Sequence, residues 1–206
     1  MARRTKDDAD ATRNSLLDAA ERVFYDKGVA RASLNEIAQA AGATRGAIYW
    51  HFKDKVDLFN AMVERVTLPL EAAFGADEPP AGTDPLQRLR SMVARLFTVI
   101  ENDAHARRVF EIAMYRVEYV SELSSVRERH LASLARFHAL LARDLQEAAQ
   151  QAGVALPMEL GAAATGLQGL FDGLLQAWIL GGAPFPLADM GRQVVDVYLR
   201  GLGLVP

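Results

Sequence analysis

The chain has 206 residues, half of them hydrophobic, a mean hydropathy of +0.02 and a formal net charge of −3. That is long enough to bury a core as one or two small domains, and it describes a globular protein rather than a disordered or uniformly basic one. Cysteine is absent, which excludes disulfides, thiolate metal sites and cysteine nucleophiles and fits a reducing cytoplasm, the expected location.

No sustained period-2 alternation bounded by turns occurs, whereas helical periodicity runs throughout, so the expected fold class is all-α with about nine helices. The opening MARRTKDDADATR is basic but passes into acids rather than an apolar run, so no secretory signal is expected. Thr12 is expected to cap a first helix carrying Leu16, Leu17, Ala20, Val23 and Phe24 and ending at Gly28. Ser33 caps the next, with Glu36 completing a capping box. A third helix runs from Thr44 to about Phe52, and Asp54 opens a longer one that Pro69 can kink. Residues 75–85 read as a loop, followed by helices near 84–101, 104–114, 122–152, 157–181 and 187–203. The expected domains are a head, 1–53, and a body, 54–206, whose first helix over 54–73 is a connector.

The stretch Leu34 to Lys53 has the spacing of a DNA-reading helix-turn-helix. Leu34 and Ile37 are apolar, Ala38 is small where helices cross, and Gly42 falls at the turn, where positive φ is needed. Thr44 caps the second helix, with Ala47 and Ile48 facing inward. A helix in the major groove sets its N-terminal residues against base edges; here those are Thr44, Arg45 and Gly46. Arg45 can donate to guanine or to phosphate, and Gly46 permits close approach. Tyr49 and His51 can donate to phosphate, Trp50 can lie along the sugar edge, and Lys55 and Ser33 are further backbone contacts. Core packing is the plainer alternative for Tyr49 and Trp50. The charge distribution agrees weakly: residues 1–55 carry ten Lys/Arg against eight Asp/Glu, and the remainder thirteen against eighteen.

Thr44 to Lys55, with Leu34 to Gly42 before them, resemble the tetracycline-repressor (TetR) family of bacterial regulators. Arg3-Arg4-Thr5-Lys6, Glu21-Arg22-Val23-Phe24-Tyr25 and Gly28-Val29-Ala30-Arg31 are similar to the AcrR-like branch that represses multidrug efflux pumps. The specific likeness covers about the first 65 residues. It implies a homodimer on a palindromic, double-stranded operator, and a body that releases DNA on binding a small apolar or aromatic inducer. It also implies that the last two long helices dimerise.

In the helix near 160–180, Ala162, Gly166, Gly169, Gly173 and Ala177 form one small face suited to a symmetry mate, with Val194 and Tyr198 of the final helix completing the dimer interface. Thr165, Gln168, Asp172 and Gln176 lie on another face. Their sharper reading is as polar groups aimed into an apolar ligand cavity; the plainer one is a solvated stripe. The cavity candidates are Met92, Leu96, Phe97, Phe110, Met114, Phe137, Leu141, Phe171 and Leu175, all of which would also serve as plain core. The resemblance raises Phe110, Met114 and Asp172 above the rest.

Enzyme motifs are absent and the four histidines are scattered, so no catalysis, cofactor or metal is expected. The polar residues and glycines within 160–180 argue against a membrane span. The expected function is a ligand-responsive repressor of a multidrug efflux operon. The alternatives are a TetR-type sensor of a fatty-acid or aromatic metabolite and, more remotely, a helical protein-binding adaptor.

Overall fold

Apolar residues at helical spacing form nine α-helices and no strand among the described residues. The structure is a computed structural model and describes residues 2–74, 82–118 and 123–205. In chain order the helices are α1 (Ala2–Lys27), α2 (Leu34–Ala40), α3 (Arg45–His51), α4 (Lys55–Phe74), α5 (Pro85–Asn102), α6 (Ala104–Tyr115), α7 (Ser124–Ala152), α8 (Leu160–Leu180) and α9 (Leu187–Gly201). None of the described helices is long and apolar enough to cross a membrane. The expected loop at 75–85 falls mostly on 75–81, outside the described residues.

Thr12 does not start a helix. α1 begins at Ala2, and the Thr12 hydroxyl donates to the Asp8 carbonyl at 2.9 Å. A threonine that can bond back to the carbonyl four residues earlier is tolerated inside a helix, so its presence alone does not mark a start. α4 runs through Pro69.

Two compact units divide the chain. The first comprises residues 1–69 and 108–129, the second 70–107 and 130–206. This division differs from the expected head over 1–53 and body over 54–206. The physical reason is packing: Leu58 and Met62 of α4, Val109 and Ile112 of α6, and Leu123 and Val126 share one buried core with Leu16, Phe24, Ile37, Ile48 and Phe52. Glu21 is buried in this unit, and its carboxylate is paired with Arg108 at 2.7 Å and Arg65 at 3.6 Å. A buried carboxylate without such partners would be costly.

In the second unit α9 packs on α5 and α8. Gly191 is buried where a Cβ would collide with the Phe97 ring, so α5 and α9 approach as closely as they do only because that side chain is missing. The Glu101 carboxylate accepts from the Leu187 and Ala188 amides at 3.1 and 3.2 Å, satisfying the first turn of α9. The Arg88 guanidinium donates to buried Asp144 at 2.9 Å and also pairs with Glu147.

Candidate nucleic-acid interface

α2 and α3 are seven residues each, too short to hold a helix alone, so caps and neighbours must hold them. Ser33 caps α2: its hydroxyl oxygen accepts from the Glu36 amide at 3.3 Å, while the Ser33 amide donates to the Glu36 carboxylate at 3.0 Å. At the other end of α2, Ser15 and Arg22 of α1 donate to the carbonyls of Ala41 and Ala40. Gly42 takes φ +66°, and a Cβ there would meet nothing within 4 Å. Backbone conformation, not crowding, therefore selects glycine at the turn. The Thr44 hydroxyl then accepts from the Ala47 amide at 3.1 Å to start α3.

Buried Ile48 anchors α3 and leaves the opposite side free. Arg45 and Gly46 are exposed, Tyr49 is 50% exposed and Trp50 73%. The Arg45 guanidinium lies 5.8 Å from the Tyr49 ring centroid, so the two neighbours on one helical face present a cation and a phenol together. Tyr49 and Trp50 are therefore not core residues.

Three of the sequence-derived contacts have other commitments. The Ser33 hydroxyl proton is directed to the Glu36 carboxylate at 2.9 Å, leaving no donor for a phosphate. Lys27 also pairs with Glu36 at 2.6 Å, and the carboxyl is lowered to about 2 by Lys27 and Ser33. Lys55 is half-buried and its ammonium donates to the carbonyls of Ala30 at 2.7 Å and Ala32 at 3.1 Å, which leaves one ammonium proton. His51 is half-buried with its ring 4.5 Å from that of Trp50. Burial, followed by the charge of Arg13, holds its imidazole below the ordinary range, while Asp10 acts in the opposite sense. His51 is therefore a neutral donor near pH 7.

The ligand candidates fall in both units. Phe110 and Met114 are half-buried in the first unit; the others belong to the second. There, Phe171 packs against Phe97 at 5.4 Å and Phe137 at 5.3 Å between ring centroids, with Met92, Leu141 and Leu175 buried and Leu96 and Gln168 half-buried. Asp172 and Gln176 do not join this cluster. Both are exposed, together with Thr165, Gly169 and Gly173. The reason is helical phase: Phe171 and Leu175 point into the unit, so the residue after each is rotated about 100° away from them. Thr165 is instead within 3.2 Å of the His138 ring. Partial desolvation raises the Asp172 carboxyl above the ordinary range, with His130 opposing.

Of the proposed dimer residues, Gly169 and Gly173 are open: a Cβ at either would meet nothing within 4 Å. Gly166 is half-buried under the Tyr198 ring, whose hydroxyl donates to the Ala163 carbonyl at 2.8 Å. Tyr198 is thus engaged inside the chain, and Val194 is half-buried. The large apolar residues exposed on these helices are Leu180 and Val197, which spacing alone did not single out as a pair.

Residues 16–62 match the family described as bacterial regulatory proteins, tetR family, and residues 84–204 match the C-terminal region of MAATS-type transcriptional repressors. The chain belongs to the TetR family. This is a family of transcriptional regulators, not of enzymes. A TetR-type relative, the HTH-type transcriptional regulator TtgR of Pseudomonas putida, is 36% identical over 208 residues, spanning 100% of this chain and 98% of the relative. The crystal structure of NalD, the secondary repressor of the MexAB-OprM multidrug efflux pump in Pseudomonas aeruginosa, superposes with a TM-score of 0.84 at 34% identity, covering 95% of this chain and 97% of that one. A SmeT–triclosan complex, SmeT being the repressor of the Stenotrophomonas maltophilia pump SmeDEF, superposes at 0.80 with 31% identity over 92% and 90%. The all-helical TetR fold, with its N-terminal helix-turn-helix and helical C-terminal body, is therefore shared over 95% of the chain in the NalD comparison.

Proposed function

We propose that this chain is a ligand-responsive repressor. It binds a palindromic operator as a homodimer and releases it when a small apolar or aromatic compound binds the second unit, and it controls a multidrug efflux operon. The observation that carries the DNA half is the outward face of α3, where Arg45, Tyr49 and Trp50 stand exposed on a helix capped by Thr44 and anchored by Ile48. The likeness to NalD and SmeT supports efflux control, and the triclosan complex of SmeT supports a small aromatic ligand. The Phe97, Phe137 and Phe171 rings, with Met92 and Leu141, supply apolar surface of the kind that such a compound prefers.

A two-fold dimer must meet half-sites a whole number of helical turns apart, about 34–36 Å per turn. The ligand acts only if it prefers the state that does not bind DNA, and operator DNA must weaken ligand binding by the same factor. The test is fluorescence anisotropy with DNA from upstream of its own gene and of the adjoining genes, across a salt series and with added dyes, antibiotics and phenols. Salt-sensitive, sequence-selective binding that the compounds reverse is expected. Arg45→Ala should lose about 1–3 kcal/mol of affinity and relax selectivity at one base pair. No salt-dependent binding by the wild type, or binding that Arg45→Ala leaves unchanged, overturns the DNA-reading assignment.

A further inference from the structure

We propose that Arg13 of α1 and His51 of α3 together hold one DNA phosphate, so that α1 belongs to the DNA interface. The inference rests on the operator-binding reading above and adds a residue to it from outside the helix-turn-helix.

Arg13 sits one turn before the buried Leu16 and Leu17 on α1. Its guanidinium carbon lies 5.3 Å from the centroid of the Phe52 ring, and Phe52 is the buried residue that ends α3. The half-buried side chain thus sets its guanidinium against the ring as a cation–π contact. Arg65, Arg88, Arg90 and Arg108 each pair with a carboxylate. Arg13 has no ion pair among the described residues.

Its charge instead acts on His51, whose protonation it opposes, while Asp10 on the same helix offsets part of that effect. Phe52 and Trp50 flank the imidazole with rings that cannot neutralise a cation. Arg13 and His51 thus both lie against Phe52, at 5.3 and 6.2 Å from its ring centroid, and neither is bonded to a carboxylate among the described residues. Such a pair is self-repelling when both are charged, and an anion between them removes the penalty. His51 follows Trp50 directly on the helix whose exposed face reads DNA in this reading. The nearest anion in that complex is therefore a backbone phosphate beside the bases facing Arg45. A contact of this kind fixes the register of the helix and carries no sequence information.

The test uses Arg13→Met, which keeps apolar bulk over Phe52, and Arg13→Lys, which keeps the charge. Each is compared with the wild type and Arg45→Ala by anisotropy on the upstream duplex and on a scrambled duplex of the same length. Arg13→Met should keep the wild-type melting temperature and weaken binding to both duplexes by the same factor. It should also reduce the slope of log affinity against log salt by about one unit per head. Arg13→Lys should keep the wild-type slope. By NMR, the His51 pKa should rise in free Arg13→Met and should rise in the wild type when the upstream duplex is added. Arg13→Met with wild-type affinity and slope, alongside a defective Arg45→Ala, overturns this proposal alone, as does a His51 pKa that does not rise on adding DNA. A wild type that binds neither duplex in a salt-dependent way overturns the operator-binding reading itself.

Discussion

The Lys55 ammonium donates to the Ala30 carbonyl at 2.7 Å, and a second bond reaches Ala32 at 3.1 Å. Residues 28–33 connect α1 to α2, and within this stretch the Gly28 and Ser33 carbonyls accept from the amides of Ala32 and Ile37, while those of Ala30 and Ala32 take a side-chain donor instead. A single cation at the start of α4 supplies both of these bonds. Lys55→Met should therefore destabilise the protein by about 1–3 kcal/mol, the usual cost of stranding acceptors bonded to a charged group. Urea denaturation without DNA is the measurement. A phosphate contact alone would leave that curve unchanged and lower only DNA affinity.

The parts of the head that were legible in the sequence are the local ones. The Ser33–Glu36 capping box, the glycine at 42 and the Thr44 cap each depend on residues within three or four positions of one another. What was not legible depends on distant partners. Lys55 finds Ala30 across 25 residues, and Arg13 finds Phe52 across the whole motif. In the body, spacing alone left open whether the stripe of Thr165, Gln168, Asp172 and Gln176 faces a cavity or solvent; Thr165, Asp172 and Gln176 are exposed and Gln168 is half-buried. Only the burial of Ala163, Leu167, Phe171 and Leu175 shows which face turns inward.

Gly166 and Gly169 lie on one helix and should fail differently. A Cβ on Gly166 would collide with the Tyr198 hydroxyl inside the chain, whereas one on Gly169 meets nothing within 4 Å. Gly166→Ala should lower the melting temperature, because Tyr198 must shift and its bond to the Ala163 carbonyl is disturbed. Gly169→Leu should leave the fold of each chain intact and weaken self-association, if α8 is the dimer surface that we propose. Sedimentation at micromolar concentration separates the two outcomes. A Gly169→Leu protein that associates as the wild type does would place the dimer contact elsewhere.

Acid should weaken the α1–α2 brace in a defined window. The Glu36 carboxyl is held at about 2, below its ordinary value of 4.5, by Lys27 and Ser33. A carboxyl whose folded pKa is depressed contributes stability above the unfolded pKa and loses it as pH falls toward the folded one. The contribution of Glu36 should thus be complete above about pH 5 and fade toward pH 2. Glu36→Gln should be less stable than the wild type at pH 7, and the difference should shrink steadily through this window in denaturation curves. A constant difference from pH 7 to pH 2 would mean that the packing of the side chain, not its charge, braces the helices.

Asp172 has the opposite sign. Desolvation raises its carboxyl, so the folded state favours the protonated form, and His130 on α7 is the charge that opposes this. A raised carboxyl costs stability once pH exceeds the unfolded pKa, and the cost disappears below it. Asp172→Asn should therefore be more stable than the wild type at pH 7 and equal to it in acid. Because Asp172 faces outward while Phe171 packs between Phe97 and Phe137, the two neighbours should also separate in ligand binding. Phe171→Ala should weaken a neutral aromatic compound such as triclosan in calorimetry, and Asp172→Asn should leave its affinity unchanged. A cationic dye whose affinity falls in Asp172→Asn would instead place the carboxylate at a ligand contact. Loss of neutral aromatic binding in Asp172→Asn alone would move the proposed ligand site off the phenylalanine cluster and onto the exposed face of α8.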